Sequence, residues 1–339
     1  MAQILPLDRS ALTQAARLLN HGGLVALPTE TVYGLAANAR QKDAVAKIYK
    51  AKGRPAHNPL ILHITDPDQA GDIVHVGDTA AALIGKFWPG PLTLVLPRKA
   101  NTPPLYTGPD LETLALRCPD TPWRKDLREL GFCDPLVMPS ANRSGHISPT
   151  TAQHVADDLG ARIDLILDNG PCLGGIESTI IQIFRNGSGQ VLRDGLIPRS
   201  KIAPFIALKA PNMRADSSSA HHVAQDAPIA PGLLKSHYAP RAKVRLGAED
   251  RRPGEAYLAF GKSRIKSDYN LSPTAELKEA ARNLYAALRQ LDRADIHTIA
   301  IASIPMDGIG AAINDRLKRA AAERDGSMSA APQHINTDI

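Results

Sequence analysis

Lys50, Lys52 and Arg54, followed by Asn58 and His63, stand in the run KAKGRPAHNPLILH from Lys50 to His63. Cations and an amide in that pattern suit a polyphosphate. A guanidinium grips two phosphate oxygens at once, and an ammonium acts as a mobile point charge. Pro55 and Pro59 bracket Asn58 and stiffen the turn that would hold these groups.

Three further polar sets accompany this cluster. Thr29, Glu30, Thr31 and Tyr33 follow the apolar run LVALP directly. Arg117 ends the run TLALR, with Thr113 four residues earlier. Ser140, Asn142 and Ser148 leave the run PLVM, and Glu177-Ser178-Thr179 follows the glycine pair Gly174-Gly175. Taken singly, Thr31 and Ser178 also read as turn caps, Arg117 as half of a surface ion pair and Asn142 as an Asx turn. Taken together they recur at strand ends, where α/β sheets place ligands, and so suggest one shared pocket.

The elements that must position them are legible from periodicity. SALTQAARLLNHGG reads as a helix capped by Ser10, KDAVAKIYKAKG as a second, and TTAQHVADDLG as a third capped by Thr150 or Thr151. PLILHI, LTLVLP, TLALRCP and PLVMPSA are short strands, and DLILDNG, STIIQIF and QVLRDG read as three closing strands. The expected fold is α/β: a twisted mixed sheet with flanking helices over 1–206, then a linker over 207–242. EAYLAFG, a long amphipathic helix, TIAIAS and a last helix follow over 243–326 as a small Rossmann-like parallel α/β domain. The tail, 327–339, lacks such a pattern.

Composition narrows the chemistry. The chain has 339 residues and a formal net charge of +6, which favours polyanion partners. Its three cysteines, Cys118, Cys133 and Cys172, form no CxxC pair, which argues against a zinc site or disulfide framework and for a reducing cytoplasm. No window approaches the ~20 apolar residues of a membrane span. Gly261-Lys262-Ser263 fails as a phosphate loop because Ala256 stands at the required glycine, and Gly308-Ile309-Gly310 fails as a dinucleotide fingerprint because Ile313 stands at the third. His221-His222 reads as polar filler in the linker. HExxH and GxSxG are absent, which disfavours metalloprotease and serine-hydrolase chemistry.

PTETVYGL, KxKGRPxxNPLILH, the arginine of LALRCP, PSANRSGxxSPT and GGxESTI occur here in that order. The set resembles the YrdC-type threonylcarbamoyl-AMP synthase domain. PGLLKSHYAP and GIGAAINDRLKRAA resemble the linker motif and C-terminal domain of the family's two-domain members. The resemblance implies synthesis of threonylcarbamoyl-AMP from L-threonine, bicarbonate or carbon dioxide, and ATP, with release of pyrophosphate. A separate transferase complex then modifies tRNA, and direct tRNA contact by this chain stays open.

The resemblance also carries residues. Lys52, Arg54, Ser140 and Asn142 match the catalytic KxR and SxN pairs. Lys50, Asn58, Thr113, Ser148 and Arg193 join them on the ATP side, with Tyr238 folding over the nucleotide as part of a lid. Thr31, His63, Arg117, Met138 and Ser178 match the threonine side. Magnesium is expected on the ATP phosphates, with no protein cage. The chain departs from the family's usual spelling at Ala36 and over 233–236. A non-catalytic RNA-binding protein is the alternative, and it predicts a broad basic face. A carbamoyl-transfer enzyme on the same domain is a third reading, but such enzymes carry zinc-finger and acylphosphatase-like modules that these cysteines and this length do not supply.

Overall fold

The structure, a computed structural model, describes residues 1–208 and 237–322. Pro231–Ser236 of the lid motif, the His221-His222 pair and the tail over 327–339 lie outside the described residues.

In chain order the first part carries β1 (Gln3–Pro6), α1 (Arg9–Asn20), β2 (Val25–Leu27), β3 (Gly34–Asn38), α2 (Lys42–Lys52), β4 (Leu62–His63), α3 (Ala70–Ile73) and α4 (Asp78–Phe87). It continues with β5 (Leu92–Pro97), β6 (Thr113–Arg117), α5 (Trp123–Glu129), β7 (Leu136–Val137), α6 (Ala152–Leu159), β8 (Leu165–Asp168), β9 (Thr179–Ile183), β10 (Gly189–Arg193) and α7 (Arg199–Ile202). The second part is β11 (Lys243–Arg245), β12 (Glu255–Ala259), β13 (Tyr269–Asn270), α8 (Leu277–Leu291), β14 (Thr298–Ile301) and α9 (Gly310–Ala321).

Ten strands form a mixed sheet in the order β1-β8-β2-β3-β7-β4-β6-β5-β9-β10. The period of two along each strand sorts its side chains between two cores. Ala26, Leu35, Ala37, Val137 and Ile166 face α2, α3, α4 and α6. Val25, Leu27, Ala36, Leu136, Met138, Leu165 and Leu167 face α1 and α5, against Trp123, Leu127 and Phe132. Ala36 is thus a tightly buried strand residue opposite Val25, away from the cations.

On this second face α1 and α5 cover only part of the sheet. Farther along lies a small apolar floor of Ile61, Val95, Ala115 and Ile180. Thr113 and Arg117 alternate in phase with Ala115, His63 with Ile61, and Ser178 with Ile180, so these four polar groups rise from the same face. Register agrees: His63 pairs with Arg117, and Thr93 with Ile180.

The second part is a four-stranded, all-parallel sheet, β11-β14-β12-β13. Its core takes in Val32, Ile147 and Ile176 from the first part together with Tyr238, Tyr285 and Ile313. The two parts therefore share apolar contacts next to the polar loops. Gly175 makes the approach possible: its φ is +73°, and a Cβ there would collide with the Ala281 carbonyl oxygen and the Arg282 Cα of α8.

Several expectations need correction. Asp8, not Ser10, caps α1, its carboxylate accepting from Ala11 N at 2.8 Å. Thr151 caps α6. DLILDNG does not close the sheet beside β9: β8 lies between β1 and β2, parallel to both. β1 and α5 carry little sequence signal because α5 has only seven residues and β1 is an exposed edge strand.

Candidate active site

α2 delivers the first two cations. Lys52 is its last residue, and Gly53 closes it in the left-handed region (φ +60°), turning the chain so that Arg54 leaves in a new direction. Lys52 Nζ donates to the carbonyl oxygens of Ser140 and Asn142, each at 2.5 Å. Ser144 N donates back to Lys52 O at 2.9 Å, so the KxR and SxN segments are pinned to each other. Arg54 folds onto the turn after it: Nη2 donates to Asn58 Oδ1 at 2.6 Å and Pro59 O at 2.8 Å, and Nε to Asn58 O at 3.1 Å.

Both cations are buried, and neither forms an ion pair among the described residues. Burial, then the charge of Arg54, holds the Lys52 ammonium well below the usual lysine range. Burial likewise brings Arg54 down to about 10. Buried cations without counter-charge are costly, which is the signature of a site built for an anion. Two buried polar atoms beside them lack partners: Asn58 Nδ2, a donor, and Asn142 Oδ1, an acceptor. Asn142 Nδ2 is committed to its own loop through Arg143 O and His146 O.

Lys50 does not join this group. Two positions from Lys52, it points away around the helix. It is exposed and lines a separate cavity of about 460 Å³ with Lys47, Arg162 and Asp164.

The residues expected on the threonine side gather around Arg117. Its Nη2 donates to Thr31 Oγ1 at 2.9 Å and lies 2.7 Å from Glu30 Oε1, an ion pair outside hydrogen-bond angles. Nε reaches Gly90 O at 3.4 Å, leaving Nη1 outside these bonds. Thr31 Oγ1 also meets Thr29 Oγ1 at 2.7 Å. His63 Nδ1 lies 3.2 Å from Ile61 O, and burial, then the Arg117 charge, lowers its pKa to about 3, so the ring is neutral. Met138 packs over Gly34, where a Cβ would overlap its side chain.

Ser178 ties this side to the nucleotide side. Its hydroxyl meets Thr93 Oγ1 at 2.8 Å and accepts from Arg193 Nη2 at 3.2 Å. Ser148 Oγ donates to Glu177 Oε1 at 2.7 Å. Burial pushes Glu177 up, but Arg316 and Arg193 outweigh it and bring the carboxylate down to about 2. An ionised carboxylate only accepts, so Ser148 has lone pairs alone to offer a ligand.

Tyr238 is buried in the αL region (φ +61°), strained for a non-glycine residue. Its ring stacks on Tyr285 with centroids 5.6 Å apart, and Ala239 N holds Gly145 O at 3.0 Å. Burial, opposed by Glu177 and then reinforced by the charges of Arg54, Lys52 and Arg193, keeps neighbouring His237 neutral, near 3. His237 of the linker motif thus lies within electrostatic reach of the cation cluster. Sequence reasoning missed Arg316, Tyr285, His237 and Thr93 as site neighbours. Arg316 sat in a quoted motif, GIGAAINDRLKRAA, but nothing along the chain signals its partner 139 positions away.

The chain matches two family profiles: one described as Telomere recombination (Sua5_yciO_yrdC) over residues 17–195, and one described as Threonylcarbamoyl-AMP synthase, C-terminal domain, over 197–322. It is 40% identical to the threonylcarbamoyl-AMP synthase of Bacillus subtilis, over 92% of this chain and 93% of that one. It is 38% identical to the synthase of Pyrococcus abyssi, over 91% and 94%. Its fold superposes on Sua5 of P. abyssi complexed with L-threonine at a TM-score of 0.79 and 33% identity, covering 95% and 97%. A His/Tyr double-alanine variant of the same Sua5 gives 0.82 and 34%, covering 95% and 96%. Two profiles in tandem, near-complete coverage and a shared two-sheet architecture place this chain in the Sua5/YrdC threonylcarbamoyl-AMP synthase family, in its two-domain form.

Proposed function

We propose that this chain is an L-threonylcarbamoyladenylate synthase, a nucleotidyltransferase that joins L-threonine, bicarbonate or carbon dioxide, and ATP. The observation that carries the reading is the buried pair Lys52 and Arg54, without counter-ions among the described residues and beside the unpartnered Asn58 Nδ2. A triphosphate supplies the missing charge and acceptor oxygens. The RNA-binding alternative wants cations on a broad face, whereas Lys52, Arg54, Arg117 and Arg193 are 3, 8, 5 and 6% exposed.

Lys52, Arg54 and Asn58 hold the phosphates, with Ser140 and Asn142 on the loop that Lys52 fixes. Thr113, Ser148, Arg193 and Tyr238 complete the nucleotide side. Threonine lies over the apolar floor, its carboxylate on the open Nη1 edge of Arg117. Thr31, His63, Met138 and Ser178 surround its side chain. His63, being neutral, adds no charge to repel Arg117.

The threonine amine adds to carbon dioxide, or to bicarbonate with loss of water, giving a carbamate. A carbamate oxygen attacks the α-phosphorus in line, and pyrophosphate leaves. The protein's share is positioning and charge neutralisation, which needs no covalent nucleophile. ATP would arrive as its magnesium complex, with the ion held mainly by phosphate oxygens and water.

Lys52, Arg54, Arg117, His237 and Tyr238 are all buried, so on this reading substrate entry requires the segment that carries His237 and Tyr238 to move. That motion shields a water-labile carbamate. On the same reading the product passes to a transferase complex acting on tRNA, a role that suits a cytoplasmic protein. Among the described residues no helix is long and apolar enough to cross a membrane. The test is to supply ¹³C-bicarbonate with ATP and L-threonine and look for the label in an adenylate carrying threonine. Label confined to free bicarbonate contradicts the reading.

A further inference from the structure

Glu177 sits where the two domains meet. It opens the segment that carries Ser178, yet two of its partners come from the C-terminal domain. Tyr285 of α8 donates its hydroxyl to Oε2 at 2.9 Å, and Arg316 of α9 donates Nε to Oε2 at 2.8 Å. The Arg316 side chain is fully buried.

The same guanidinium makes three more contacts, one of them Nη1 donating to its chain neighbour Asp315 Oδ2 at 2.7 Å. Nη2 donates to Asp194 O at 2.8 Å, on the residue after Arg193. Its Cζ lies 5.4 Å from the Tyr238 ring centroid, within cation–π range. One side chain of the C-terminal domain therefore touches supports of three nucleotide-side groups: Ser148 through Glu177, Arg193 through its neighbour's carbonyl, and Tyr238 directly. The threonine side is held differently at all but Ser178, which follows Glu177 and accepts from Arg193. Thr31, His63 and Arg117 take their bonds from Thr29, Glu30, Ile61 and Gly90, all within the first domain.

We infer that Arg316 is a positioning residue through which the C-terminal domain sets the nucleotide half of the site, while Thr31, His63 and Arg117 of the threonine half are held from within the first domain. This rests on the synthase reading and assigns the second domain a share in it. Its docking is not passive support: it fixes the Ser148 acceptor, the Arg193 backbone and the strained Tyr238 together.

The test measures equilibrium binding of magnesium ATP and of L-threonine separately by calorimetry, on the full chain. Three variants are needed: Arg316→Lys, Arg316→Met, and Arg316→Met combined with Glu177→Gln. Arg316→Met should weaken ATP by about tenfold or more and leave threonine within about threefold, with Arg316→Lys between it and the parent. Arg316→Met alone strands the Glu177 charge and lowers the thermal midpoint. The double variant removes both charges and should recover the midpoint without recovering ATP affinity. Equal weakening of both ligands, or a double variant that binds ATP like the parent, overturns the inference. Binding is read without turnover, so the two claims fail separately. A parent chain that binds neither ligand contradicts the synthase reading; a parent that binds both, with variants that do not split them, contradicts only the role of Arg316.

Discussion

Lys52 and Asn142 stand 90 residues apart and are joined at 2.5 Å, ammonium to carbonyl oxygen. The Ser140 carbonyl takes a second proton of the same ammonium. Two of its three donors are thus spent on holding the SxN loop, and one is left for a phosphate. On the proposed reading Lys52 is both the loop's anchor and a phosphate ligand. Lys52→Met should therefore lower pyrophosphate release and thermal stability together, visible by assay and by thermal melt of the same sample.

Arg54 acts through its fork. Arg54→Ala should lower the rate of pyrophosphate release by about a hundredfold or more, the scale for losing one preorganised charge ligand. Arg54→Lys should not restore it, because an ammonium cannot serve Asn58 Oδ1, Asn58 O and Pro59 O and still face a phosphate. A lysine variant with near-parent turnover would sink this account of the fork.

Arg117 should govern threonine and not ATP. Arg117→Lys should raise the threonine KM by about ten- to a hundredfold, the worth of a charge-assisted hydrogen bond, with the KM for ATP unchanged. Steady-state kinetics with each substrate varied in turn decides it.

Tyr238→Ala tests the lid less cleanly than its sequence suggests. With Tyr238 exposed, the fold would survive the change. In the structure the ring is buried against Tyr285, so alanine leaves a cavity that costs about 3–5 kcal/mol by analogy with other buried aromatics. Tyr238→Phe keeps the packing. It should melt close to the parent, while Tyr238→Ala loses both stability and ATP affinity.

Stability should fall with acid. His63 and His237 are held near 3 and His154 near 4, each by burial first. An unfolded chain takes up these protons near 6.5. The native state therefore has their full benefit above about pH 6.5, and loses it as the pH drops toward 4 and 3. Glu177, held near 2, contributes only to losses below about pH 4.5. Thermal melts between pH 7.5 and 5 should show a decline that is shallower in His63→Gln; identical slopes would count against burial of a neutral ring.

The sheet strands were legible because apolar runs bounded by proline and glycine mark them, and Lys52, Arg54 and Asn58 were legible because their contacts are local. Lys50 was misplaced because linear proximity says little about which side of a helix a residue takes. β8 was misplaced because chain order does not encode strand order. Arg316 was invisible as a partner of Glu177: a buried ion pair across two domains leaves no periodic trace.

The central claim is that one pocket brings a nucleotide and threonine together for reaction. The most direct measurement is pyrophosphate release from ATP and bicarbonate with and without L-threonine. The account predicts release that requires threonine. Release at the same rate without threonine would contradict it.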